Sequence, residues 1–193
     1  DEADRKLAKG EKIGLLHGIP LAAKEMLEVK GWKQTYCWAA GVEEEELAAM
    51  GLNDVLEEDG LLASRMREAG VLYVGKTNIP EFAFGSHTKN RLYGVTRNPY
   101  DLRKSAGGSS GGAAAALAAG IVSIADGSDL GGSLRNPAAF CNVIGFRPSI
   151  GRIPGKEAGW AVLIRSLPGA EHRARSLCRG RAERTCPAFT LGG

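Results

Sequence analysis

The chain has 193 residues, of which 44% are hydrophobic, 24% are charged and 6% are aromatic. This composition is typical of a packed soluble domain and excludes general disorder, and the scarcity of aromatic residues argues against a base-stacking platform for single-stranded nucleic acid. The net charge of +3 is unevenly distributed, because residues 1–154 contain 18 basic and 19 acidic side chains and residues 155–193 contain seven and three. The basic character therefore belongs to the tail and predicts no nucleic-acid partner.

The sequence predicts a cytoplasmic protein without a membrane partner. The acidic N-terminus is not followed by an apolar segment, which predicts no secretory signal. The longest uncharged stretch, Ser105–Ala125, is dominated by Gly, Ser and Ala and is too weakly apolar to cross a membrane. The cysteines lack metal-binding spacing, which predicts free thiols rather than a zinc site or a disulfide framework. They are Cys37, Cys141, Cys178 and Cys186.

The first sixty residues predict a helix, a strand and a surface insertion. Residues 2–9 form the helix, which Gly10 ends. The apolar segment Gly14–Lys24 predicts a loop that enters a short strand and delivers a lysine at its end. The acidic stretch 43–59 predicts a solvated insertion at the surface.

A helix and a strand are predicted next. The helix covers Leu61–Ala69, with Asp59 as its N-cap and Gly70 as its C-cap, and the buried strand covers Val71–Val74. This order indicates α/β packing. Residues 70–77 also match the phosphate-loop pattern GxxxxGK[ST], but the variable positions are Val-Leu-Tyr-Val, which predict a strand instead of the required turn. A nucleotide site is therefore not predicted here.

The following segment combines a loop with glycine-rich turns. Residues 78–100 are loop-like, and the Gly/Ser segment Ala106–Gly112 leads into a strong helix former, Ala113–Ala119. Ile121–Ala125 predicts a second short buried strand, and Asp126–Ser133 predicts a glycine-rich turn.

Two glycine-rich elements carry the chemistry. Gly107–Gly112 places backbone donors and two hydroxyls at a helix N-terminus, which suits an anion or a developing oxyanion, although a tight loop that needs positive φ explains the glycines equally well. Ser133 follows two glycines that allow backbone amides to converge on a tetrahedral intermediate. A serine nucleophile needs a base, and none of the three histidines lies in a motif. Lys24 ends an apolar run, where burial can keep its amine neutral.

Three separated segments together resemble the amidase signature family, serine amidohydrolases with a Ser–cisSer–Lys triad. They are GIPLAAK, GGSSGG followed by AAAALAAG, and GSDLGGSLRNPAAF, and the resemblance covers residues 3–154. It implies an α/β fold with a central mixed sheet flanked by helices, and it implies no metal and no cofactor. The family's catalytic domain is more than twice this length, so residues 1–154 are expected to form an incomplete catalytic core.

The resemblance assigns the catalytic residues. It maps the lysine base onto Lys24, the bridging cis-serine onto Ser109 and the nucleophile onto Ser133, and it implies a cis peptide bond between Gly108 and Ser109. It places the oxyanion-hole donors on the backbone of four consecutive residues, Leu130, Gly131, Gly132 and Ser133.

The resemblance also assigns residues around the reaction centre. Substrate-binding contacts map onto Ala83 and Ser109, and the loop that carries Ala83 varies within the family. Asp129 and Arg135 match motif residues that organise the site without being catalytic.

The implied function is hydrolysis of a carboxamide C–N bond through an acyl-enzyme on Ser133, with a proton relay through Ser109 and Lys24. The binding partner is a small-molecule amide, and a homodimer of the full-length enzyme is compatible with the resemblance. The loop Gly85–Asn90 and the motif DLGGSLRNPAAF favour stand-alone amidases of the aryl- or cyclic-amide type. The alternatives are the glutaminase-type subunit of a tRNA-dependent amidotransferase and, from another class, an inactive fragment or an anion-binding module.

Residues 155–193 form a divergent basic tail in this interpretation. The tail is rich in Arg, Ala, Gly, Pro and Cys and lacks apolar periodicity, a composition typical of a shifted reading frame in a GC-rich gene. A divergent basic surface helix and a nucleic-acid-binding arm are the alternatives. With a tail that does not complete the sheet, we expect the chain alone to aggregate and to be inactive.

Overall fold

The computed structural model describes residues 1–38, 43–49, 54–149, 152–153 and 161–165. The helices are α1 (Glu2–Ala8), α2 (Glu44–Ala49), α3 (Leu61–Glu68), α4 (Gly111–Ala118) and α5 (Arg135–Phe140), and a 3₁₀ turn covers Glu81–Ala83. The strands are β1 (Pro20–Lys24), β2 (Lys33–Gln34), β3 (Asp54–Val55), β4 (Leu72–Thr77), β5 (Lys89–Asn90), β6 (Gly94–Val95), β7 (Arg97–Asn98), β8 (Asp101–Ser105), β9 (Ile124–Ser128), β10 (Ile144–Gly145) and β11 (Ala161–Arg165).

A five-stranded mixed sheet forms the centre of the fold, in the order β10-β11-β9-β1-β4. Strand β1 is parallel to β4 on one side and to β9 on the other, while β11 is antiparallel to β9 and to β10. Because parallel strands end at the same edge of a sheet, the carboxyl ends of β1, β4 and β9 lie side by side. The expected mixed sheet flanked by helices is confirmed.

Helices cover both faces of the sheet. Helix α3 packs on one face, where Met66 joins Leu21 and Ala23 of β1 in an apolar cluster. Helix α4 packs on the other face, where Leu117 contacts a cluster that contains Ala22 of β1. Alternate residues of β1 therefore face different helices, as the two-residue period of a strand requires.

The start of α4 is packed so closely that only glycine fits. A Cβ on Gly111 would lie 2.4 Å from the Thr88 hydroxyl oxygen, and a Cβ on Gly112 would lie 2.3 Å from the Asn78 backbone nitrogen. Two of the predicted loop glycines are thus explained by close approach rather than by a positive φ.

The predicted N-cap of α3, Asp59, is wrong. Gly60 is the N-cap, and the Asp59 carboxylate instead accepts hydrogen bonds from the Lys30 backbone N–H at 2.7 Å and from Arg67 Nε at 2.6 Å. The charge of Arg67, near the other end of the helix, competes successfully for the carboxylate. At the other end the helix stops at Glu68 with Ala69 as its C-cap, one residue before the prediction, and Gly70 follows with φ +94°, a conformation that favours glycine.

Both predicted buried strands differ from the observed ones. Strand β4 begins and ends later than predicted and lies at the sheet edge, so Leu72 and Val74 are 46% and 55% exposed. Strand β9 begins three residues later than predicted, with Ile121 exposed. The segment 126–128, predicted as part of a turn, continues this strand.

Three further segments contain strands or helices that the sequence did not predict. In the acidic stretch 43–59, α2 and β3 form, and β3 pairs with β2; residues 50–53 of that stretch lie outside the described part. Residues 78–100 contain β5 paired with β6 and the strand β7, so this stretch is more ordered than predicted. Strand β11 lies within residues 155–193 and pairs with β9 and β10 in the central sheet, so the expectation that the tail adds nothing to the sheet is wrong for residues 161–165. The domain boundary at 154 stays a prediction. No helix among the described residues is long and apolar enough to cross a membrane.

Candidate active site

Lys24 lies at the carboxyl end of the central strand β1 with 1% of its surface exposed. Its amine Nζ is within hydrogen-bond distance of three hydroxyl oxygens, those of Ser109 at 2.8 Å, Ser110 at 2.9 Å and Ser128 at 2.7 Å. A neutral amine has two N–H groups and one lone pair, so it can donate hydrogen bonds to two of these hydroxyls and accept a hydrogen bond from the third. The sequence-predicted pair of Lys24 and Ser109 is thus brought together.

The environment of Lys24 makes its amine a base near neutrality. Burial lowers the pKa of Lys24 to about 7, although the carboxylates of Asp126 and Asp129 act in the opposite direction. The hydroxyl partners accept and donate hydrogen bonds but carry no charge that would stabilise the ammonium form. A general base is most effective when its pKa lies close to the working pH.

The Gly/Ser segment before α4 holds Ser109, the predicted bridging serine. The Gly108–Ser109 peptide bond is cis, as the resemblance implied, and the Ser109 side chain is buried. The Ser109 carbonyl oxygen accepts a hydrogen bond from the Thr88 hydroxyl at 3.3 Å. The neighbouring Ser110 N–H donates to the Ser133 carbonyl oxygen at 3.0 Å, which ties this segment to the loop that carries the predicted nucleophile.

The N–H groups at the start of α4 are already bound to protein acceptors. The Ser110 N–H binds Ser133, the Gly111 N–H donates to the Thr88 hydroxyl at 3.1 Å, and the Gly112 N–H donates to the Asn78 carbonyl at 3.1 Å. An anion would need these donors. These N–H groups therefore hold the start of α4 against neighbouring segments, and the interpretation of this segment as a site for a developing oxyanion is not favoured.

Asp129 organises the loop between β9 and α5. Its Oδ1 accepts from the Gly132 N–H at 2.7 Å, its Oδ2 accepts from the Leu134 N–H at 3.1 Å, and Arg135 binds both oxygens at 2.9 Å. Burial acts to raise the pKa of Asp129, but the Arg135 guanidinium and the backbone N–H groups outweigh it and lower the pKa to about 2. The predicted organising role of Asp129 and Arg135 has a direct structural counterpart here.

Ser133 is joined through its backbone to Ser110, the neighbour of the predicted bridging serine Ser109. Its carbonyl oxygen binds Ser110, and its hydroxyl has no hydrogen-bond partner among the residues that the structure describes. Hydroxyls of nucleophiles often tighten onto their relay only when substrate is bound. The role of Ser133 as nucleophile stays a prediction.

The predicted oxyanion donors fall into two groups. The Gly132 N–H is donated to Asp129, whereas the N–H groups of Leu130, Gly131 and Ser133 have no acceptor within the described part of the chain. Free N–H groups that are fixed by the surrounding loop can bind a substrate oxygen as it becomes negative. The geometry leaves three of the four predicted donors available for that role.

Ala83, the predicted substrate-contact residue, lies in the 3₁₀ turn. Phe82 and Ala83 both have a left-handed backbone, with φ values of 51° and 60°, and the Ala83 N–H donates to the Pro80 carbonyl at 2.8 Å. Within the described residues Ala83 has no hydrogen bond to Lys24 or Ser109. Its substrate contact stays a prediction.

The sequence analysis missed three residues that contact Lys24. Ser110 and Ser128 bind the amine, and the Asp126 carboxylate accepts the Lys24 backbone N–H. Ser110 adjoins the predicted Ser109 and could have been included on that ground. The other two depend on the register of β9 beside β1, which the shifted strand prediction concealed. No group of His, Cys, Asp or Glu side chains in the described ranges is arranged to hold a metal ion.

Comparisons with known proteins agree on a family. The model of the family described as Amidase matches residues 1–169. A glutamyl-tRNA(Gln) amidotransferase subunit of Alkaliphilus metalliredigens is 47% identical over 151 residues, which cover 78% of this chain and 28% of that protein. An acylamidase of Rhodococcus erythropolis is 41% identical over 165 residues, which cover 83% of this chain and 32% of that protein.

A solved structure supports the same assignment. A bacterial aryl acylamidase of the amidase signature family is 36% identical, with a TM-score of 0.73 over 85% of this chain and 34% of the acylamidase. The chain thus spans about a third or less of the length of these relatives. Sequence, fold and site agree, and the chain belongs to the amidase signature family.

Proposed function

We propose that this chain carries the reaction centre of an amidase that hydrolyses a carboxamide C–N bond, with Ser133 as nucleophile and Ser109 and Lys24 as its proton relay. The observation that carries the proposal is the Lys24 amine, which is buried, surrounded by hydroxyls and shifted to a pKa of about 7. A buried lysine without a direct carboxylate partner at its amine is suited to accept a proton.

The reaction follows from these groups. Ser133 Oγ attacks the amide carbon while its proton passes to Ser109 Oγ, and the Ser109 proton passes to the neutral Lys24 amine. The carbonyl electron pair moves to oxygen, where the free N–H groups of the 130–133 loop stabilise it. The proton returns through Ser109 to the amide nitrogen, the C–N bond breaks and an amine leaves.

The second half repeats the same relay with water. Water attacks the Ser133 ester and gives one proton to Ser109, which again transfers its own proton to Lys24. The intermediate then collapses, the ester C–O bond breaks and Ser133 recovers its proton from the relay. The products are a carboxylic acid and an amine or ammonia, without any redox change.

Two substrate classes compete within this proposal. The relatives include an acylamidase and glutamyl-tRNA(Gln) amidotransferase subunits, at similar identity. The Gly85–Asn90 loop and the DLGGSLRNPAAF motif favour a stand-alone amidase acting on an aryl or cyclic amide. A glutaminase that delivers ammonia to a second protein is the other candidate, favoured by the 47% identity to the amidotransferase.

The experiment compares an acyl anilide with L-glutamine as substrates. Because the chain spans a minor part of its relatives, hydrolysis is measured both on residues 1–193 and on the complete gene product. Ser133→Ala is compared with Ser123→Ala, a matched loss of an exposed hydroxyl. We expect anilide hydrolysis that only Ser133→Ala abolishes. Preferential glutamine hydrolysis selects the second candidate, and equal activity of both variants contradicts the proposal.

A further inference from the structure

Asp126 lies behind Lys24, on the opposite face of the sheet from the lysine amine. In the parallel register, Ala22 of β1 is aligned with Ala125 of β9, so Asp126 is level with Ala23. Ala23 packs in the α3-side cluster, whereas the Lys24 amine reaches the serines beside α4. A carboxylate in this position is shielded from solvent, and the proposed relay does not use it.

The Asp126 carboxylate is bound to the backbone of the catalytic lysine. It is 4% exposed, and its Oδ1 accepts the Lys24 backbone N–H. After Lys24 in the chain, the Glu25 N–H donates to the Thr77 carbonyl at 3.1 Å, and the Glu25 carbonyl accepts from Lys76 Nζ at 3.2 Å. The peptide units before and after the Lys24 side chain are therefore both fixed.

We propose that Asp126 is a positioning residue that holds the Lys24 backbone from behind the sheet and whose charge governs the protonation of the Lys24 amine. The inference rests on the proposed function, because it concerns the base of that reaction. It assigns the base a partner that touches neither substrate nor the reacting oxygens. A buried carboxylate so close to a lysine base stabilises the ammonium form and sets the pH at which the base becomes available.

The charges around Asp126 support this role. Lys24 faces it from β1, Lys76 and Tyr73 face it from β4, and Asp129 acts on the same lysine from the loop after β9. Burial raises the pKa of Asp126 to about 6, opposed by the Lys24 N–H and by the positive charges of both lysines. Burial thus raises the pKa of Asp126 while it lowers that of Lys24, and the opposite charges couple the two groups, so each influences the titration of the other.

The test measures the Lys24 amine directly, by NMR titration of ¹³Cε-labelled lysine with Lys24→Met to assign the signal. In Asp126→Asn the amide oxygen keeps the backbone acceptor and the charge is removed. We expect the apparent pKa of Lys24 to fall by about one unit. Asp101→Asn, which removes a carboxylate bound to Arg103 and Lys104, is the matched control and leaves the Lys24 titration unchanged.

A reciprocal measurement keeps the proposal testable if Asp126→Asn does not fold. In Lys24→Met the nearby positive charge is gone, so the Asp126 carboxyl, followed by its ¹³Cγ signal, should titrate at higher pH than in the wild type. Unchanged titrations of both groups would overturn the proposal. A catalytic loss in Asp126→Asn without a shift of Lys24 would also overturn it, since that is the signature of a structural role alone.

These readouts separate the proposal from the proposed function. The NMR titrations do not depend on amide hydrolysis, so an inactive protein leaves them interpretable. In an active enzyme, the rise of kcat/KM with pH should move to lower pH in Asp126→Asn, because a base of lower pKa is neutral at lower pH. A shifted Lys24 titration without any amide hydrolysis by the complete gene product supports the pairing and contradicts the proposed function.

Discussion

Two lysines near the ends of neighbouring parallel strands, Lys24 buried and Lys76 partly buried, differ in their partners. Among the described residues the Lys24 amine on β1 contacts hydroxyls, whereas Lys76 on β4 donates to the Gln34 side-chain oxygen at 2.6 Å and lies 3.8 Å from the Glu25 carboxylate. Burial lowers the pKa of both, and for Lys76 the Glu25 charge opposes it. From this comparison we expect a buried lysine to act as a base only where its amine has no direct carboxylate partner.

The largest expected effect on kcat comes from removing the hydroxyl of Ser133, the proposed nucleophile from which the relay carries a proton to Lys24. Ser133→Ala removes the attacking oxygen, so kcat for amide hydrolysis should fall by about 10³-fold or more. Steady-state kinetics on the preferred amide check this. If Ser133→Ala keeps more than a tenth of kcat while Ser110→Ala loses it, the nucleophile has been assigned to the wrong serine.

The next effect separates the two lysines directly. Lys24→Met preserves most of the side-chain volume but removes the base, and kcat should fall by about 10²- to 10⁴-fold. Lys76→Met should change kcat by less than about tenfold, because Lys76 does not contact the relay hydroxyls. Similar losses of kcat in correctly folded samples of both variants would contradict the comparison.

A measurement of the free energy of unfolding tests whether Lys76 stabilises the fold. Its loss leaves the buried Glu25 carboxylate without its nearby cation, although the Thr35 N–H and hydroxyl still donate to it. We expect Lys76→Met to lower the free energy of unfolding by about 2 kcal/mol, the typical cost of a lost hydrogen bond to a charged group. Urea unfolding measures it, and an unchanged midpoint would show that Lys76 is not a structural cation.

The smallest effect concerns the loop that holds Ser133. The folded pKa of Asp129 is lowered to about 2, so its ionised form contributes stability above the ordinary value of 3.8. This contribution is lost as the pH falls toward 2. The difference in unfolding free energy between wild type and Asp129→Asn, about 2 kcal/mol at pH 6, should therefore shrink between pH 4 and pH 2. A difference that does not change with pH would contradict the lowered pKa.

The sequence predicted the elements that have strong local signals. The apolar run that delivers Lys24, the Ala-rich helix α4 and the Gly/Ser segment before it were all recognisable. The phosphate-loop match was correctly set aside, since β4 occupies it. The resemblance to the family added the pairing of Lys24 with Ser109, which no local pattern contains.

What depends on register and neighbours was not predictable. The exposure of Leu72 follows from the edge position of β4, and the contacts of Ser128 and Asp126 follow from the alignment of β9 with β1. An apolar run does not distinguish an edge strand from a central one. The position of Asp59 in the sequence is typical of an N-cap, but in the structure its carboxylate accepts a hydrogen bond from Arg67, eight residues later.

The central claim, that Lys24 is a base near neutral pH, is tested most directly by the rate at which a fluorophosphonate probe phosphonylates Ser133, with release of fluoride. Between pH 5 and pH 9 this rate should rise with pH and level off above about 7, where the Lys24 amine is neutral. Lys24→Met should label slowly and without this rise, while Lys76→Met should follow the wild-type curve. A wild-type labelling rate that is flat from pH 5 to pH 9, or a rise that survives in Lys24→Met, would contradict the claim.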